Sequence, residues 1–208
     1  MHWSFVLLIP ALWWTWKSNQ MALHERLGYV ALALLVFRLF WGLVGSSTAR
    51  FASFVRGPGA VARYLGKLFS RSEEPAIGHN PLGGWSVLAL LGLMIAEVVI
   101  GLFTQDTDGI ESGPLTRYVS YDFADAARHW HGLIFNVLLG FIALHLFAIA
   151  FYLVVKRENL IGPMLTGRRA MAASVTAPRF APWWLALVGL ALGLGAAWWV
   201  SLGCPLPK

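Results

Sequence analysis

The sequence predicts an all-α integral membrane protein, a four-helix transmembrane bundle with a fifth, C-terminal transmembrane helix. Three observations carry this. First, 58% of the 208 residues are apolar and only 12% are charged, the composition of a chain embedded in a bilayer and not of a soluble domain. Second, five apolar stretches are long enough, or nearly so, to span. Third, His131 and His145 lie fourteen residues apart inside one of these stretches. Fourteen residues rise roughly 21 Å along a helix and bring both side chains to within about 40° of one face.

The first stretch, about His2–Trp16, is short. No Lys or Arg precedes its apolar run, Phe5–Trp16, and no small-x-small site follows before Lys17. It therefore reads as a retained helix and not as a cleaved signal peptide. The second stretch runs from about Leu27 to Val44. The third, about Leu82–Phe103, follows the helix-start signal Pro81. The fourth runs from about His129 to Val155. The fifth, about Pro182–Leu202, is opened by Pro178 and Pro182 and bounded by Trp183-Trp184 and Trp198-Trp199, which read as two interfacial belts. Residues 1–169 thus form one membrane domain and residues 178–203 an added helix. Between the second and third stretches, about 50–71, Phe51, Phe54, Val55, Val61, Tyr64, Leu65, Leu68 and Phe69 interleave with basic residues around Gly57-Pro58-Gly59. This predicts two short amphipathic helices on the membrane surface, in contact with lipid.

Loop charge orients the bundle. Arg50, Arg56, Arg63, Lys67 and Arg71 oppose Glu73 and Glu74 in one loop, and Lys156, Arg157, Arg168, Arg169 and Arg179 oppose Glu158 in another. Both are net positive and are expected inside. Asp106, Asp108, Glu111, Asp122 and Asp125 outweigh Arg117 and Arg128 in the loop expected outside. The N-terminus is then inside, and the C-terminus with Cys204 outside. In such a chain the net charge of +6 records orientation and does not point to nucleic acid. The single cysteine excludes an internal disulfide and a Cys-rich zinc or iron–sulfur site. No C-x-x-C-H is present, so no haem attaches covalently.

Topology sorts the six histidines by depth. His131 lies at the outer end of the fourth helix and His145 towards the inner side. His24 opens the second helix at the level of His131, and His2 opens the first at the level of His145. Imidazoles in hydrocarbon are costly, so two cross-helix pairs, His24 with His131 and His2 with His145, suggest metal ligands. Two haems, one above the other across the bilayer, suit them. Arg38, fourteen residues after His24, shares its face at the lower level and offers a forked partner to a haem propionate. Gly28 and Gly42 share that spacing and leave room either for a flat macrocycle or for a close helix. His79, in the turn His79-Asn80-Pro81, suits a propionate hydrogen bond or a cap. His129 points to another side of the helix than His131 and reads as interfacial. Glu97 is the one acid inside a predicted span and a functional candidate on that ground.

The stretches HERLGYVALALLVFRLFWGLVG (24–45), ARFASFVRGPGAVARYL (49–65), GHNPLGG (78–84), WHGLIFNVLLGFIALH (130–145) and RENLIGPMLTG (157–167), with His2-Trp3 at the start, resemble the bacterial di-haem cytochrome b561 family. That family includes the cytochrome b subunits of nickel–iron hydrogenases. The similarity covers about residues 2–169, and the order and spacing of the motifs make it specific. The resemblance implies a four-helix core with two b-type haems, ligated by His2 with His145 and His24 with His131, in a bacterial cytoplasmic membrane. It also implies electron transfer between membrane quinone and a partner such as a periplasmic c-type cytochrome. A branch of the family oxidises superoxide, but the acidic outer loop suits a basic protein better than a small anion. A histidine-lined metal transporter is a reading from another class; ligands split between two levels fit poorly with one midplane site. Two departures from the pattern stand out: Met1 alone precedes the first His-Trp, and the fifth helix lies beyond it.

Overall fold

The computed structural model describes residues 1–68, 78–106, 108, 111–169 and 177–205. Among these it is helical and holds no strand, only an isolated bridge between Gln105 and Ser112. The helices are α1 (His2–Lys17), α2 (Met21–Val44), α3 (Phe51–Phe54), α4 (Pro58–Gly66), α5 (Pro81–Gly101), α6 (Tyr121–Val154), α7 (Ile161–Thr166) and α8 (Trp183–Ser201). Four of them, α2, α5, α6 and α8, are long and apolar enough to cross a membrane. α1, with 16 residues and Pro10 inside it, is shorter than these. Only 11% of the most apolar window of α6 is buried inside the protein, so its apolar exterior requires lipid as solvent.

Local chemistry sets the ends of the helices. Asn80 caps α5: its Oδ1 accepts the Gly83 N–H at 2.7 Å, and Pro81 occupies the first turn, where a missing N–H costs nothing. Ser120 caps α6 through the Phe123 N–H at 3.3 Å, with Asp122 in the first turn, where a carboxylate favours the helix dipole. α6 therefore starts eight residues before the apolar stretch does, its first turns polar. α2 likewise starts at Met21 and not Leu27. The segment from 50 to 68 forms two short helices, α3 and α4, with Gly57 before and Pro58 opening the second, as expected; Phe69, Arg71, Glu73 and Glu74 lie outside the described residues.

The helices form two groups. α2 packs against α1 and α8, α5 against α6, and α2 meets α5. α3 lies against the start of α5, where a Cβ on Gly84 would come within 2.6 Å of the Phe54 carbonyl. Hydrogen bonds define two ends of the bundle. At one, Trp3 Nε1 donates to the Met164 carbonyl, and Ser47 and Arg179 exchange two bonds at 3.0 Å. At the other, Arg117 and Tyr118 bond the Gly203 carbonyl. The chain thus runs up and down in the expected order.

α8 is not an isolated addition. Gly189, Gly193 and Ala197 repeat every four residues along its buried stripe. A Cβ on Gly193 would overlap the Ala33 carbonyl of α2, and one on Gly189 would press on Phe40 and Phe37. This is close backbone packing of the small-xxx-small kind. Trp183, Trp184, Trp198 and Trp199 face outward at its two ends.

Candidate functional site

Two histidine pairs bridge the helices, one towards each end. His24 on α2 and His131 on α6 have ring centroids 6.2 Å apart, with planes at 84°. His2 on α1 and His145 on α6 have centroids 6.3 Å apart, at 51°. A metal midway between two imidazoles, bound at ~2.0 Å through nitrogens about 1.2 Å from the ring centres, separates the centroids by roughly 6.3 Å. Each spacing would accommodate one iron held between the two rings.

Backbone carbonyls hold the first pair. His24 Nδ1 lies 2.9 Å from the Leu12 carbonyl of α1 and 3.3 Å from Thr15 Oγ1. The Thr15 hydroxyl itself donates to the Leu12 carbonyl at 2.8 Å. His131 Nδ1 lies 3.0 Å from the Glu97 carbonyl of α5 and 3.3 Å from Glu97 Oε1. A ring nitrogen facing a carbonyl carries the proton, so Nδ1–H donates in both rings and each Nε2 keeps its lone pair. That tautomer is the one a metal ligand needs, with the second nitrogen anchored. Gly101 lets α5 come this close: a Cβ there would lie 3.0 Å from His131 Cε1.

The second pair is held differently. Neither His2 nor His145 hydrogen-bonds a described residue through its ring. Around that end gather Arg38, His79, Tyr64, Asn80 and Tyr152. Arg38 Nη1 donates to the Ala49 carbonyl at 3.3 Å, and its guanidinium sits 4.8 Å over the Phe51 ring. His79 lies against Phe54, centroids 4.9 Å apart. Burial, more than its cationic neighbour Arg38, lowers the His79 pKa, and His145 and His2 push it the same way. Tyr152, two turns beyond His145, bonds the Tyr64 hydroxyl and accepts from Asn80 Nδ2 at 2.8 Å.

The two glycines on α2 take different roles. A Cβ on Gly42 would overlap the Phe51 ring, whereas one on Gly28, a turn from His24, meets nothing within 4 Å. Gly42 is thus a packing notch for α3, and Gly28 leaves space beside His24. His129 stands apart from the pairs, 3.6 Å from Asp125 on its own helix.

Among the described residues no group of three or more His, Cys, Asp or Glu side chains is placed to hold a metal ion. Two imidazoles alone underfill the coordination of a bare ion. They suit an iron whose remaining ligands come from a planar macrocycle. The residues present therefore fit haem: His24 with His131, and His2 with His145, would hold it, and Arg38 and His79 flank the second position.

Thr15, the Leu12 carbonyl, Gly101 and the tyrosine pair were not legible as site features in the sequence. Carbonyl partners leave no residue-type signal, since any side chain supplies the same group. Thr15 is 1% exposed, a burial that only the packing of α1 against α2 reveals.

The family model for prokaryotic cytochrome b561 matches residues 1–167. No curated protein and no solved structure matches the chain.

Proposed function

The chain belongs to the prokaryotic cytochrome b561 family, a b-type cytochrome of membrane electron transfer, and on that premise we propose that it holds two haems b and passes electrons across a bacterial cytoplasmic membrane between the quinone pool and a redox protein outside. The observation that carries this is the pair of histidine pairs, 6.2 and 6.3 Å between ring centroids, one towards each end of the helices. Haem iron with two imidazole ligands has no open position and exchanges single electrons.

The chain's own residues supply the rest. α6 carries one histidine of each pair, so a single helix sets the separation of the two levels. Arg38 and His79 offer donors to haem carboxylates at the His2 end. The net positive loops favour that end inside, with the N-terminus, and the C-terminus outside. The acidic outer loop suits a basic partner, such as a c-type cytochrome, whose association should weaken as salt rises. α1 and α8 complete five spans, with residues 1–169 as the haem domain and 178–203 as the added helix.

A reduced-minus-oxidised spectrum of the purified protein tests the reading, with haem counted per chain. A b-type α-band and two haems support it, as does reduction of both by a quinol in proteoliposomes; absence of the band sinks it. Arg38→Leu is expected to shift the potential of the haem at the His2 end more than the other; an unchanged potential there would remove Arg38 from the site. Gly101→Val should push His131 off its carbonyl and weaken haem binding at the His24 end about tenfold or more, read by haem titration of the purified variant. Equal affinity would show that the α5 seat is dispensable.

A further inference from the structure

We propose that α4 carries a binding site for the headgroup of an anionic phospholipid, formed by Arg56, Arg63 and Lys67. The site is separate from the histidine pairs and does not depend on what they hold.

The sides of α4 differ in character. Val61 and Tyr64 are half-buried and turn towards the bundle: α4 packs against α5, and the Tyr64 hydroxyl bonds that of Tyr152 on α6. At ~100° per residue, Arg63 stands one step to one side of Tyr64 and Leu65 one step to the other. Lys67, four residues after Arg63, falls on the Arg63 flank. Both cations are exposed, and Leu65, 47% exposed, offers the opposite flank to hydrocarbon. A helix docked by one face, with a basic flank on one side and an apolar flank on the other, lies in the plane of a bilayer interface with its cations among the headgroups.

Arg56 extends the basic flank. A Cβ on Gly59 would lie 3.6 Å from Arg63 Nη1, so that guanidinium reaches back towards the start of α4, where Arg56 stands exposed. Arg56 is itself held in place. Its Nη2 donates to the Ser53 carbonyl at 3.0 Å, and its own carbonyl accepts from Trp85 Nε1 at 2.8 Å. Trp85 is 44% exposed, an indole of the kind that settles at headgroup depth. Among the described residues none of the three cations forms an ion pair, so their charge is left for a partner. A phospholipid matches both flanks at once: its phosphodiester meets the cations and its acyl chains meet Leu65. A phosphate free in water meets only the first.

Electron paramagnetic resonance of the full chain in phosphatidylcholine bilayers tests this, with traces of spin-labelled phosphatidylglycerol or spin-labelled phosphatidylcholine. The immobilised fraction reads the lipid held at the protein surface. Phosphatidylglycerol is expected to be preferred about fivefold or more, the contribution of one basic side chain near an anionic surface, and raised salt should shrink the preference. The triple variant Arg56→Gln/Arg63→Gln/Lys67→Gln should hold both lipids equally. Arg63→Gln alone, the milder change, should lose part of the preference. Arg157→Gln/Arg168→Gln, which removes two cations of the other basic loop, should keep it. Equal association of the two lipids with the unmodified chain overturns the site, as does a preference that survives the triple variant. A preference lost equally in Arg157→Gln/Arg168→Gln would belong to the basic loops as a whole and not to α4. Displacement of the labelled phosphatidylglycerol by millimolar inorganic phosphate would make the occupant a soluble anion and overturn the lipid.

Discussion

His131→Ala is expected to lower the haem content from two per chain to one, and His145→Ala to do the same at the other end. Both follow from α6, which supplies one ring to each pair across 6.2 and 6.3 Å. If these rings hold the iron as proposed, removing one would cost more than the 10–100-fold in affinity typical of an outer hydrogen-bond partner. The double variant should bind no haem. A pyridine haemochrome assay against protein concentration gives the ratio. Carbon monoxide adds an independent readout: any haem left on one imidazole has an open iron position and binds the gas, which a bis-histidine haem does not. The two losses should also be independent, because the rings lie fourteen residues apart and share no hydrogen-bond partner among the described residues. If either single variant keeps two haems that ignore carbon monoxide, the pairing is wrong.

Gly193→Leu is expected to destabilise the protein without removing haem. A Cβ on Gly193 would overlap the Ala33 backbone of α2, and backbone cannot yield as a flexible side chain does. The two helices must separate, at a cost of about 1–3 kcal/mol or more, because close packing is what holds helices together in lipid. None of the four histidines lies on α8, so the haem count should stay at two. Gly195→Leu is the control. It is on the same helix, but its Cβ meets nothing within 4 Å, and leucine is the better helix former. Thermal unfolding in detergent separates the two: a fall of several degrees for Gly193→Leu and none for Gly195→Leu. A similar melting temperature for both would mean that α8 does not depend on this contact.

The helices were legible because long apolar stretches have few alternatives in a bilayer. Their ends were not. The apolar stretch starts at His129, but α6 starts at Tyr121, since a helix that leaves the membrane keeps its hydrogen bonds while its side chains turn polar. The Gly189, Gly193, Ala197 stripe was written in the sequence, and α2 as its partner was not, because a stripe of small residues says that something approaches and not what.

Spacing and depth alone selected His2, His24, His131 and His145, because helix rise and a strict up-and-down path determine which residues share a level. What only the tertiary structure decided is what stands behind each ring. The Leu12 and Glu97 carbonyls and Thr15 back the first pair. Candidate ligands are side chains, and a sequence can propose them. The groups that anchor the His24 and His131 rings are mostly backbone atoms of other helices, and only packing brings them within hydrogen-bond reach.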